Sequence, residues 1–72
     1  MTRRKYADIV PLYSDGKLLG YRVMILNDRY LGWQVLNEYR LIEYKDNKMI
    51  NVRLINLVID LIGEGYIFMT EK

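Results

Sequence analysis

Residues 49–65, Met49-Ile50-Asn51-Val52-Arg53-Leu54-Ile55-Asn56-Leu57-Val58-Ile59-Asp60-Leu61-Ile62-Gly63-Glu64-Gly65, decide the fold, because they read either as one helix or as strands and a turn. In the helical reading, Arg53, Asn56, Asp60 and Glu64 recur at steps of three, four and four. They form one stripe of an amphipathic helix capped at Asn51 and closed at Gly63 or Gly65. Against it stand the β-branched Val52, Ile55, Val58, Ile59 and Ile62, which lose rotamer freedom in a helix and suit a buried strand. The extended reading has a strand from Met49 to about Asn56, a second through Leu61, a turn at Gly63-Glu64-Gly65 and a last strand from Tyr66 to Met69.

The segment from Tyr30 to Lys45 poses the same choice. Leu31, Val35, Tyr39 and Ile42 fall at helical steps of four, four and three, with Gln34, Asn37, Glu38 and Lys45 opposite. The helix formers Gln34, Leu36, Glu38, Arg40, Leu41 and Glu43 accumulate here, and Asp28 is a reasonable cap, so the main helix is expected over 30–45. The competing strand reading alternates Tyr39 and Leu41 with Glu38 and Arg40.

The N-terminal half is plainer. Tyr6 to Tyr13 reads as a strand, and Pro11 places it at a sheet edge because proline has no amide to donate. Ser14-Asp15-Gly16-Lys17 supplies a turn: Gly16 takes positive φ without steric cost and Asp15 can bond its own backbone. Leu18 to Leu26 follows with Leu19, Tyr21, Val23 and Ile25 on one face and Gly20, Arg22, Met24 and Leu26 on the other. Both faces carry apolar groups, so this strand is expected to be central.

Asp15-Gly16-Lys17, Gly20-Tyr21-Arg22-Val23, a helix-like stretch and then Asn51-Val52-Arg53-Leu54 resemble the layout of short uncharacterised proteins carried by phages and mobile elements of AT-rich bacteria. The likeness covers about two thirds of the chain, and its turn and strand signals carry over no catalytic residue. It tips Asn51 to Leu54 toward strand. Either reading of the last third gives an α+β domain: a small antiparallel sheet, built from the N-terminal hairpin and C-terminal strands, packed with one main helix. Residues 1–5 are read as a basic flexible tip and 6–72 as the single domain.

Composition limits what this domain can do. The 72 residues contain no histidine and no cysteine, 51% are hydrophobic, and Trp33, Phe68 and seven tyrosines supply contact surface. A chain this short hides only roughly 60% of the surface it exposes when unfolded. Without Cys or His it has neither disulfides nor the usual zinc ligands to reinforce its core, which leaves dense packing or self-association. Ser14, the only serine, lies in the predicted turn, and Asp8, Asp15, Asp60 and Glu64 show no spacing that singles out an acid–base pair. Gly63-Glu64-Gly65 lacks the rest of a phosphate loop. No enzymatic role, cofactor or metal is expected.

Binding is the stronger expectation. On a helix over 30–45, Tyr30, Trp33, Arg40 and Tyr44 form much of one side, and Trp, Tyr and Arg are the residues that dominate interfaces. The leading reading is a small protein–protein interaction module, an accessory or inhibitory factor of a phage or mobile element that binds a larger intracellular protein. One alternative is a small RNA- or DNA-binding protein using Arg3, Arg4, Lys5, Arg22 and Arg53, with Tyr21 as a stacking platform. Its weakness is nine acidic residues against eleven basic ones, a net charge of only +2. The other alternative is a self-associating subunit, a homodimer joined through the Pro11 strand or Tyr66-Ile67-Phe68-Met69. Asp8 and Pro11 follow the basic start, so no signal-peptide core is read there. Asn56 and Asp60 break the apolar run, so no membrane span is expected and the cytoplasm is the default.

Overall fold

In a computed structural model, residues 5–28, 31–44 and 47–69 are described. They form strands β1 (Lys5–Ser14), β2 (Lys17–Asn27) and β3 (Gln34–Arg40), helix α1 (Asn47–Gly63) and the short strand β4 (Ile67–Phe68). One four-stranded sheet, in the order β3-β2-β1-β4, packs against the single helix as a small α+β fold.

The hairpin forms as its sequence dictates. Ser14 pairs with Lys17, and between them Asp15 (φ 50°) and Gly16 (φ 76°) both take positive φ. This is a two-residue type I′ turn, whose twist matches that of the strands it joins. β2 is central, antiparallel to β1 on one side and to β3 on the other. β1, expected at a sheet edge because of Pro11, instead lies between β2 and β4; among the described residues β4 pairs with it at Tyr6 and Ala7, short of the exposed Pro11. Lys5, assigned to the tip from sequence, is the first residue of β1. The rest of the tip, Arg3 and Arg4 included, lies outside the described residues.

Two expectations are reversed. The main helix expected over 30–45 is replaced by β3 at residues 34–40, and Asn51 to Leu54, tipped toward strand, lie within α1. Helix propensity in 30–45 amounts to tenths of a kcal/mol per residue, whereas the free edge of β2 offers a seven-residue strand a full ladder of hydrogen bonds. Gly20 makes room for that ladder. A Cβ there would lie 2.8 Å from Arg40 Cα and inside contact distance of the Tyr39 carbonyl oxygen. In α1, Ile50, Leu54, Leu57 and Leu61 recur at steps of four, three and four. Burying that stripe outweighs the modest helix penalty of the β-branched residues.

The helix starts at Asn47, four residues before the expected Asn51 cap, and closes where expected. Tyr66 N–H donates to Leu61 O at 3.0 Å and Gly65 N–H to Ile62 O at 3.0 Å, with Gly65 at φ 96°, a Schellman closure. The sheet is mixed rather than wholly antiparallel. α1 carries the chain from the β3 edge across to the far side of β1, and β4 then runs parallel to β1.

Cross-strand partners sort the sheet into two faces. Ala7, Val23, Ile25 and Tyr39 point under α1 and meet Ile50, Leu54 and Leu61, with Ile9, Tyr21, Leu41, Leu57 and Phe68 packed around them. Tyr6, Asp8, Val10, Leu12, Arg22, Met24, Leu26, Glu38 and Arg40 share the opposite face, over which no described helix lies.

Candidate interaction surface

At 100° per residue, α1 carries two apolar faces. Ile50, Leu54, Leu57 and Leu61 turn to the sheet. Arg53, Asn56 and Asp60 form an exposed polar line along one side. Beyond it, facing away from the sheet, Val52, Ile55, Ile59 and Ile62 stand in a row at steps of three, four and three, each 55–60% exposed, with half-exposed Met49 at the N-terminal end. One sheet can cover only one side of a helix, so this aliphatic row is left in solvent. Monomeric proteins scatter exposed apolar residues singly, and a contiguous row is the mark of a contact site.

The open sheet face is different in kind. Its apolar side chains Val10, Leu12, Met24 and Leu26 are half-buried, and a charged cluster closes one end. Arg22 Nε donates to Glu38 Oε2 and Arg40 Nε to Glu38 Oε1, both at 2.8 Å, so one carboxylate is gripped by two guanidiniums. The Arg22 bond foremost, then that of Arg40, holds the Glu38 carboxyl below its ordinary pKa. The outer edge of the same strand is protected: the Glu38 amide donates to the Asn37 side chain at 2.8 Å, and β3 is bulged between its pairings with Val23 and Met24.

The described residues singled out from sequence sit in different surroundings. Tyr30 lies outside the described residues. Trp33 precedes β3 and is 39% exposed, Arg40 is held by Glu38 on the open face, and Tyr44 packs on the core, its ring 6.1 Å from that of Tyr39. The helix that was to align them is absent, which removes the geometric basis for grouping them. Of the basic set, Lys5, Arg22 and Arg53 are described, each on a different element. Lys5 donates to Glu64 O at 3.0 Å and sits 5.4 Å above the Tyr66 ring, and Arg53 lies 5.6 Å over Tyr44. Tyr21 faces the core while its neighbour Arg22 points the other way, so they offer no combined stacking and phosphate site.

An open cleft of about 400 Å³ between the start of α1 and the sheet is lined by Leu18, Tyr21, Leu41, Asn47, Ile50 and Asn51. Among the described residues, no three His, Cys, Asp or Glu side chains are grouped to hold a metal, and no helix is long and apolar enough to cross a membrane. Comparison with protein-family models, with curated proteins and with solved structures gives no match.

The exposed row on α1 escaped sequence reading because Ile and Val were counted for strand. The signal was present as two interleaved apolar series, 50/54/57/61 and 52/55/59/62, flanking the polar series 53/56/60.

Proposed function

We propose that the protein is a non-enzymatic protein-binding module that docks through the outer face of α1, in the accessory or inhibitory role suggested by its resemblance to short phage and mobile-element proteins. The observation that carries this reading is the row Val52, Ile55, Ile59 and Ile62, held in solvent on a helix whose opposite face is anchored in the core. Full burial of such a side chain is worth about 1.5–3 kcal/mol. Each is a little more than half exposed, so covering it gains about 1 kcal/mol and covering the row about 4 kcal/mol. A rigid helix offers that surface with little ordering cost, the usual obstacle to a small interface.

The test is affinity capture from lysate with the wild type and an I55D/I59D variant, with and without nuclease and at two salt concentrations. One recovered protein, indifferent to nuclease and nearly so to salt, and lost with the variant, supports docking through α1. Recovery of nucleic acid that disappears at higher salt overturns it, because counterion release is the signature of phosphate contacts.

A further inference from the structure

Four positions form a square on the open face of the sheet. Gly20 is paired with Arg40, and on the next rung of the same face Arg22 is paired with Glu38. Glu38 and Gly20 take one diagonal, Arg22 and Arg40 the other. Opposite partners in such a square stand about 5 Å apart and neighbours along a strand about 7 Å, within reach of long side chains. Three corners carry two positive charges and one negative. The fourth is bare, and a Cβ at Gly20 would run into the backbone of Tyr39 and Arg40, so no side chain can be built there. Glu38 ties both arginines down, Arg22 through Nε and Arg40 through Nε and one terminal nitrogen. Neither has a further partner among the described residues, and their side chains are 36% and 43% exposed, so N–H groups remain for a ligand from solvent.

We propose that the bare corner is a seat for one carboxylate, the acidic side chain of a bound peptide, gripped by Arg22 and Arg40 as they already grip Glu38. One negative charge there brings the square to neutrality with signs alternating around it, whereas a phosphate dianion overshoots. Asp8 stands on the same face opposite Met24, on the side of Arg22 away from Gly20, and forms no ion pair with the described arginines, so it does not fill the corner. Leu12, opposite Gly20, and Val10, opposite Arg22, are half-buried beside the seat and offer contact for the methylenes of the incoming side chain. Because Glu38 holds both guanidiniums before the ligand arrives, less rotamer freedom is lost than in an ordinary surface ion pair. The seat lies on the layer away from α1, so it is independent of docking through that helix.

NMR titration at low salt, followed on the arginine Nε–H signals, tests this. The probe is the tripeptide N-acetyl-Ala-Glu-Ala-amide, whose one charge is a side-chain carboxylate, compared with its Ala-Gln-Ala counterpart and with inorganic phosphate. The Glu peptide is expected to shift the Arg22 and Arg40 signals and to bind about tenfold tighter than the Gln peptide, the worth of two surface ion pairs. R22Q or R40Q is expected to abolish that preference, and R53Q, which alters an arginine of α1, to keep it. The comparison of probes on the wild type needs no variant, and circular dichroism reports whether each variant is folded. Equal binding of the two peptides, or no saturable shift with the Glu peptide, overturns the proposal. So does tighter binding of phosphate than of the Glu peptide, because the seat then reads a dianion, and so does a preference for Glu that survives in folded R22Q and R40Q.

Discussion

Ile50 and Ile59 are the same residue on the same helix, one 1% and the other 60% exposed, and their alanine variants measure separately the two faces of α1. Ile50→Ala removes three carbons from a site enclosed by the sheet and α1. At about 0.8 kcal/mol per buried methylene the transfer loss is about 2.4 kcal/mol, and the cavity brings the total to about 3–4 kcal/mol. A domain of this length holds roughly 4–11 kcal/mol in all, so the variant is left near the limit of folding. Ile59→Ala loses the equivalent of about 1 kcal/mol, because less than half of its side chain is covered, and regains about 0.4 kcal/mol from the better helix propensity of alanine. Its net effect is within about 0.6 kcal/mol of wild type. The assay is urea unfolding followed by circular dichroism. Equal losses for the two variants, or a loss below about 1 kcal/mol for I50A, would refute the assignment of the buried and outer faces.

Gly20→Ala forces a methyl into the Tyr39–Arg40 backbone and is expected to cost about 2–3 kcal/mol, with faster amide exchange along β3; unchanged exchange there would show that β3 does not approach β2 this closely. The Glu38 carboxyl is expected to titrate below its ordinary value of 4.5, so its contribution to stability is complete above that value and is lost as the pH falls through the lower folded pKa. An NMR titration midpoint at or above 4.5 counts against the double-arginine grip, and E38Q removes this part of the acid dependence. Tyr44→Ala, which strips a ring from the core and from beneath Arg53, is expected to cost about 2 kcal/mol, against under about 1 kcal/mol for Trp33→Ala; the reverse order in thermal unfolding would place Trp33 in the core instead.

What the sequence determined by itself is local. Asp15-Gly16 requires positive φ and makes the hairpin, two-sided apolar content makes β2 central, and the Gly63-Glu64-Gly65 stretch ends the helix, because each property resides in one residue or its immediate neighbours. The absence of histidine and cysteine narrowed the available chemistry in the same direct way. Tertiary structure alone decided which ambiguous segment became the helix. The propensities of 30–45 and 49–62 differ by tenths of a kcal/mol per residue, while the ladder on β2 and the burial of Ile50, Leu54 and Leu61 are each worth several kcal/mol and exist only once the hairpin has formed. Sequence reading therefore grouped Tyr30, Trp33, Arg40 and Tyr44 on a helix the chain does not make. The outer row of α1 became visible when the sheet had taken the other side of the helix, because exposure is a property of the packed molecule and periodicity alone does not say which of two apolar faces will be covered.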